Sequence, residues 1–372
     1  MGIGERLAYS RKRATMTLAQ VKERAGIGES SVSEFENGRR EPSLSQLQAL
    51  ARVYRRSVSF LLAEGEISRE TVLWREKPSS ECEETEAVFL RLCEQYHNLE
   101  VWTDDVLPVC LPEASGSAER FGYMQAELLA KRVRDELNLG DRPGLGLLSV
   151  LEEVCGVKVF HLDFETTGAA ASTRSETYGA AMLLHAGNVR WRRNFSLAHE
   201  LFHLLTWSVF RNGENEPTSL AADEWEEKLA NAFAANLLLP ADTVRSAFAA
   251  KIRDGGMGFG EIYDIARQFD VSAEAVLWRL YFLKLLADDV DAEKVKVIGG
   301  ELRSMSRMYE ERSDATPRKW PERYRALAVK ALNSGSMSIG RFAEYLEVSR
   351  QTAMKYVQQE STDGQEVPLA SA

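Results

Sequence analysis

The spacing of apolar residues along the chain predicts a protein built mainly of helices. Over residues 3–63 the pattern favours five short helices, at 3–12, 17–25, 29–37, 44–54 and 58–62. Gly26 and Gly38 follow the second and third of these, as expected of residues that end helices. A helix, a short glycine-containing turn and another helix together form the arrangement of helix-turn-helix modules.

A longer region combines helical patterns with short strands. Helices are predicted at 119–137, 146–155, 192–205 and 226–239, and a helix-turn-helix-like helical pattern is predicted at 259–286. Ser196 is the expected N-cap of the helix around 192–205. Strands are predicted at 156–160, 177–184 and 189–193, with the last two joined as a hairpin. The predicted fold class is therefore mainly α with a small β-sheet, an α+β arrangement.

These patterns divide the chain into five predicted segments. They are a helix-turn-helix domain (1–63), a helical connector (64–117), a main domain (118–286), a helical C-terminal region (287–359) and a disordered tail (360–372). The connector contains a helical stripe over 87–101. The C-terminal region contains a second helix-turn-helix-like pattern over 337–357, with Arg350, Gln351 and Lys355 exposed, which suits contact with DNA or with a subunit.

Charge and composition then narrow the class of protein. The net charge is −10, yet residues 1–63 hold 11 Lys/Arg against 6 Asp/Glu, a balance of +5. A basic module on an acidic body is typical of a protein that meets DNA through one part. No apolar run is long enough for a membrane span, and the 4 cysteines show no paired metal spacing. We therefore expect a cytoplasmic protein with reduced thiols and no membrane partner.

The most specific chemical pattern is His199-Glu200-Leu201-Phe202-His203, an HExxH match. Two histidines four residues apart lie on one face of a helix, so both imidazoles can reach one zinc ion. Glu200, between them, is then placed to act on water beside the metal. The second helical pattern, after residue 223, offers carboxylates for a third ligand.

Two consecutive motifs resemble the ImmA/IrrE family of zinc metallopeptidases. RRNFSLAHELFHLL followed by EKLANAFAANLLLP is similar to the family's "rrFTlAHElgH" and "ExxANxFAxxLLmP" helices, and the resemblance covers roughly residues 120–285. It implies a zincin-like domain in which His199, His203 and Glu227 hold zinc and Glu200 is catalytic. Phe202 stands where the family usually has glycine, and Leu239 where it usually has methionine.

Four neighbouring carboxylates compete for the role of third ligand: Asp223, Glu224, Glu226 and Glu227. Helical geometry favours Glu227, which shares a face with small residues that allow close helix packing. Glu226 would point about 100° away. Asn231, one turn after Glu227, is expected to hydrogen-bond the free N–H of a ligand histidine.

The inferred reaction is zinc-assisted peptide hydrolysis. Glu200 takes a proton from water and returns it to the leaving amine. An oxyanion donor is also needed, and Tyr178 is the candidate. The edge of the small sheet is expected to align an extended substrate by strand addition.

The N-terminal segment GIGESSVSEFENGRREPSLSQLQALARVY resembles the Xre/Cro-like repressor family, with its "wEnGrrxPs" signature. The resemblance implies that the helix after the turn enters the major groove of duplex DNA, and that the protein is a homodimer. Bases would face Glu29, Ser30, Ser31, Ser33 and Glu34, and phosphates would meet Arg39 and Arg40. Leu18 and Lys22 depart from the family, which usually has glutamine and alanine there.

Taken together, these resemblances imply a DNA-binding regulatory protease. Its expected substrate is a partner helix-turn-helix repressor or antitoxin, whose cleavage would derepress stress, prophage or mobile-element genes. One alternative is a transcriptional repressor whose zinc domain only senses a signal. Another is a toxin–antitoxin or phage-defence component that acts through protein contacts.

Overall fold

The structure is a computed structural model of the chain. It describes residues 2–14, 16–54, 56, 58–62, 71–75, 82–164, 170–211, 219–221, 224–252, 256–309 and 317–355. The predicted disordered tail, 360–372, lies outside these ranges. Contacts divide the chain into two compact units. Unit 1 comprises Met1–Ile67, Glu83–Pro108 and Trp320–Ala372, and unit 2 comprises Ser68–Cys82 and Val109–Lys319.

The prediction of a mainly helical fold with one small sheet is confirmed. The strands are β1 (Val72–Trp74), β2 (Lys158–Leu162), β3 (Ala170–Ser175), β4 (Gly179–His185) and β5 (Ser219–Ala221). The helices are α1 (Ile3–Arg13), α2 (Leu18–Ala25), α3 (Glu29–Glu36), α4 (Leu44–Val53), α5 (Val58–Leu62), α6 (Cys82–Trp102), α7 (Tyr123–Glu136), α8 (Leu147–Ser149, continued as a π-helix over Val150–Val154), α9 (Arg190–Leu205), α10 (Trp207–Phe210), α11 (Glu224–Leu238), α12 (Ala241–Lys251), α13 (Phe259–Phe269), α14 (Ala273–Phe282), α15 (Ala292–Tyr309), α16 (Glu322–Asn333) and α17 (Ile339–Tyr345). Short 3-10 turns lie at Ala118–Arg120 and Pro143–Leu145.

The five N-terminal helices enclose a small apolar core of their own. Val21, Val32 and Phe35 from α2 and α3 are buried in it. The Thr17 hydroxyl accepts a hydrogen bond from the Gln20 amide and so caps α2. Gly4 lets α1 approach α3 closely, because a Cβ there would lie 2.5 Å from the Phe35 carbonyl oxygen. Local caps and one close helix contact therefore fix this module.

Unit 1 also contains α6, α16 and α17. The rings of Tyr96 on α6 and Tyr324 on α16 meet edge to face, with centroids 5.4 Å apart. The Arg323 guanidinium donates to Glu100 at 2.6 Å and to Asp105 at 2.8 Å. Residues 64–117, which the sequence pattern assigns to one connector, are thus distributed, since α6 belongs to unit 1 and β1 to the sheet of unit 2.

The sheet of unit 2 has five strands in the order β2-β4-β3-β1-β5. β2 and β4 are parallel, β3 is antiparallel to both of its neighbours, and β5 is parallel to β1. α9 packs against β3 and β4, and α11 packs against α9 and α7. Of the described helices, none has the length and apolar character that crossing a bilayer requires.

Two details of the sequence prediction are wrong. Residues 189–193 are not a strand, because α9 already begins at Arg190 and Val189 is its N-cap. Ser196 is consequently not a cap but lies buried inside the helix. The predicted hairpin between β4 and residues 189–193 is therefore absent. β4 pairs instead with β2 and β3.

Candidate metal centre and DNA-binding surface

α9 brings two histidines together in the interior of unit 2. His199 and His203 are one turn apart on the same helix face, and both side chains are inaccessible to solvent. Their Nε2 atoms lie 3.2 Å apart. Apolar neighbours, among them Leu201 and Phe202, pack in the core of the unit around them. The imidazoles are therefore held at a fixed separation with both Nε2 atoms facing one point.

α11 supplies a carboxylate at that point. The Glu227 carboxylate lies 3.1 Å from His199 Nε2 and 3.4 Å from His203 Nε2. Ala230 and Ala234, both buried, line α11 and allow the close packing against α9. In the part of the chain that the structure describes, this trio is the one group of three or more such side chains whose ligand atoms converge, all within 4.8 Å.

Each histidine is also held through its second nitrogen. His199 Nδ1 lies 3.1 Å from Asn231 Oδ1, and His203 Nδ1 lies 2.8 Å from Glu226 Oε1. Acceptors at Nδ1 favour the Nδ1–H form, which leaves the Nε2 lone pairs free to bind a metal ion. Two imidazole nitrogens and one carboxylate are a donor set of catalytic zinc sites, so these residues fit a metal ion.

The electrostatics also suit a cation. Burial alone would lower the pKa of His203, but hydrogen bonds to the Glu226 and Glu227 carboxylates raise that pKa to about 9. Burial lowers the pKa of His199 to about 4, against the opposing hydrogen bond to Glu227. The two carboxylates thus stabilise positive charge next to His203, in a place where burial would otherwise oppose it.

Glu200 is a buried carboxylate without a hydrogen bond from any described residue. Burial raises its pKa to about 7, while the nearby His203, Ser172 and Arg75 act in the opposite direction. The Ser172 hydroxyl on β3 lowers the pKa of Glu200. A carboxylate with this pKa is suited to accept and return a proton near neutral pH.

The sequence prediction missed the roles of two residues, Glu226 and Arg75. Glu226 does not point away from the site, because its carboxylate meets His203 and also accepts from Arg211 at 2.8 Å. Arg75, at the end of β1, acts electrostatically on both His199 and Glu200. The hydroxyl of Tyr178, the predicted oxyanion donor, lies 3.4 Å from Thr173 Oγ1.

The remaining acidic candidates differ from Glu227 in position. Glu224 is exposed and pairs with Lys228 at 2.6 Å. Asp223 lies outside the described residues. The carboxylates that meet the histidines are therefore the two consecutive glutamates of α11, Glu226 and Glu227.

In unit 1, α3 presents a polar outer surface. Val32 and Phe35 are buried beneath it. Its outward positions are the residues predicted to face bases: Glu29 and Ser30 are exposed, while Ser31, Ser33 and Glu34 are partly exposed. Arg39 and Arg40 follow the helix and are both exposed. Lys22 is one of the two residues that depart from the repressor pattern. Its Nζ lies 3.8 Å from Glu29 Oε1, at the start of α3.

The C-terminal helix-turn-helix-like pattern also forms helices. Ser338 caps α17, and the Ser349 hydroxyl accepts from the Thr352 amide at 3.1 Å at the start of the next helical turns. Arg350, Gln351 and Lys355 are exposed. α17 packs on α6, where the ring of Tyr345 stacks on Trp102 at 5.8 Å.

Comparison with known proteins assigns both parts of the chain. Residues 7–61 match the helix-turn-helix family model, and residues 152–281 match the IrrE N-terminal-like domain of the M78 peptidases. The chain is also similar to the HTH-type transcriptional regulator ImmR of Bacillus subtilis (strain 168), with 32% identity over 69 residues. That match covers 18% of this chain and 54% of ImmR, so the chain spans about half the length of the curated relative that it matches. The chain thus joins a region similar to Xre-type helix-turn-helix domains to one similar to the IrrE N-terminal-like domain, and the second region contains the His-His-Glu cluster.

Proposed function

We propose that this protein is a DNA-binding regulatory zinc metalloendopeptidase that cleaves a partner helix-turn-helix repressor or antitoxin. The observation that carries the proposal is the convergence of His199, His203 and Glu227 beside Glu200, a buried carboxylate that lacks a hydrogen-bond partner among the described residues. The IrrE-like match over the same residues supports it. Cleavage would derepress stress, prophage or mobile-element genes. A protein with this role would act in the cytoplasm.

Each residue of the centre has a role in this proposal. His199, His203 and Glu227 would hold a zinc ion, which would supply Lewis acidity towards water and the scissile carbonyl. Glu200 accepts a proton from the attacking water and delivers it to the leaving amine. Asn231 and Glu226 keep the two imidazoles in the orientation and tautomer that the ligands need.

The N-terminal domain supplies the regulatory part of the proposal. ImmR, which it resembles, is described as a transcriptional regulator. We assign the outward residues of α3 to the major groove, and Arg39 and Arg40 to phosphates. A homodimer would present two such helices to two half-sites. DNA binding would then place the peptidase domain near repressors that occupy the same control region.

The experiment that tests the proposal compares the wild-type chain with Glu200→Gln. Both proteins should contain one zinc ion and bind the same operator duplex, since Gln keeps the shape of the side chain and Glu200 is not a ligand. Only the wild type should cleave the partner repressor, with a loss of roughly 10²–10⁴-fold in the variant, as for a general base.

The same comparison separates the alternatives. A wild-type chain that binds zinc and operator but cleaves no repressor would instead be a repressor with a sensing zinc domain. Equal cleavage by the wild type and Glu200→Gln would contradict the assigned role of Glu200.

A further inference from the structure

A short strand from outside the main part of unit 2 covers the edge of β3. β1 pairs antiparallel with β3 along its whole length, with Val72 opposite Thr173 and Leu73 opposite Ser172. The Thr173 hydroxyl donates to the carbonyl of Thr71, 102 residues earlier in the chain, at 2.8 Å. The other neighbours in this part of the sheet, β2, β3 and β4, come from the continuous stretch 158–185. Without β1, β3 would therefore present a free edge.

One face of β1 is directed at the candidate metal centre. Residues opposite each other in a sheet share a face, so Leu73 lies on the side of Ser172, which acts on Glu200. Arg75, two residues further on, lies on the same side. Its guanidinium carbon is 5.6 Å from the ring centroid of Phe195, one turn before His199 on α9.

The other face of β1 is anchored away from the centre. The ring of Trp74 meets Phe164 edge to face, with centroids 6.1 Å apart. Val72 alternates with Leu73 and so shares the face of Trp74. All three strand residues are inaccessible to solvent. β1 is thus held from both faces and along both edges, by β3 on one side and by β5 on the other.

Most of the centre is buried, and Glu227 is partly exposed, with 21% of its side chain accessible to solvent. His199, Glu200 and His203 are all inaccessible to solvent. A peptide bond must reach Glu200 to be hydrolysed, and an extended peptide aligned by strand addition would need the edge of β3. That edge is already occupied by β1.

We propose that β1 is a built-in occupant of the position that a substrate strand takes on β3. This inference rests on the proposed peptidase function. The site then accepts an extended peptide that pairs antiparallel with β3 and directs an apolar side chain, and two residues later a basic one, towards α9, as Leu73 and Arg75 do. Hydrolysis requires that such a peptide displace β1 from β3 and take its place beside β5, with which β1 also pairs.

The test measures binding rather than turnover, in the full-length chain carrying Glu200→Gln. The probe is a fluorescein-labelled Thr-Val-Leu-Trp-Arg peptide with Gly-Ser at each end. Val72→Ala weakens β1, and Val159→Ala is its matched control, since both valines are inaccessible strand residues of one sheet but Val159 lies on β2, at the far edge.

Val72→Ala should bind the probe about tenfold more tightly than the parent, because two buried carbon groups of the competing strand are lost. Val159→Ala should bind it as the parent does, and a probe with glycine in place of its Leu and Arg should bind at least tenfold more weakly. Equal affinity of Val72→Ala and Val159→Ala for the probe would overturn the proposal.

Hydrogen exchange provides a second measurement that needs no strand variant. Saturating probe should speed amide exchange in β1 and leave exchange in β2 unchanged. Unchanged exchange in β1 with bound probe would also overturn the proposal. Probe that binds by displacing β1 but is not cleaved by the wild-type chain would refute the peptidase function alone.

Discussion

The residue whose importance the structure most changes is Glu226, and Glu226→Gln is its most informative variant. The carboxylate accepts from His203 Nδ1 at 2.8 Å and from the Arg211 guanidinium at 2.8 Å with each oxygen. Gln retains the shape of the side chain but removes the charge. It also replaces one acceptor oxygen with an NH2 group, which can only donate. The remaining carbonyl oxygen cannot replace both carboxylate oxygens.

Two separate losses should follow. His203 loses the partner that fixes its orientation, and losses of this kind weaken metal binding by roughly 10–100-fold. That corresponds to about 1.4–2.7 kcal/mol of binding free energy. Arg211, with 4% of its side chain exposed, loses its buried counter-charge. Breaking a buried pair from one side costs about 3–5 kcal/mol of folding stability.

The assays are a zinc competition titration against a chromophoric chelator and denaturant unfolding of the zinc-free chain. Glu224→Gln is the matched control, because it lies on the same helix but is exposed and pairs with Lys228. An exposed pair of this kind is screened by solvent and contributes little to stability. If the two variants bind zinc with the same affinity, the orienting role of Glu226 is refuted, whatever their stabilities.

Three further outcomes are expected. Glu227→Ala should abolish stoichiometric zinc binding, measured by metal analysis after dialysis, while Glu224→Ala should retain it; normal zinc content in Glu227→Ala would remove Glu227 from the ligand set. Changing both Arg39 and Arg40 to alanine should reduce the slope of log affinity against log salt for duplex binding by about 2, as expected for two lost phosphate contacts, and an unchanged slope would refute these contacts. Burial lowers the pKa of His161 to about 4. Between about pH 6.5 and 4 the folded chain therefore binds fewer protons at this residue than the unfolded chain. The free energy of unfolding should fall as the pH is lowered through that window. His161→Asn should flatten that part of the stability profile in thermal unfolding, and an unaltered profile would contradict the assignment.

Patterns local to one helix could be predicted from the sequence. A repeat of four residues places His199 and His203 on one face whatever surrounds them, and the helix-turn-helix module depends on caps such as Thr17 that act within a few residues. Contacts between side chains of different helices were harder to predict from the sequence. Glu226 and Glu227 point in different directions from α11, yet both reach His203, because the two nitrogens of an imidazole lie on different sides of its ring.

Pairing between distant strands could not be predicted. β3 has the sequence Ala-Ala-Ser-Thr-Arg-Ser, whose small and polar residues lack the usual signal of a strand, and β1 has only three residues. β3 becomes a strand because it pairs with β4 and β1, and β1 because it pairs with β3 and β5, which are both distant from it in sequence. Residues 189–193 give the opposite error, since alternation over so few positions also fits the first turn of α9.

The antiparallel pairing of β1 with β3 also sets a concentration threshold for any competitor. A segment tethered within the same chain competes at an effective concentration on the order of millimolar. If β1 itself has an intrinsic dissociation constant of about 1 µM for β3, a free peptide would then bind roughly a thousandfold more weakly than its own contacts allow. Dilute proteins with suitable sequences would be spared. A repressor held on neighbouring DNA is itself locally concentrated. It could therefore meet this threshold without any change in its affinity for the edge of β3.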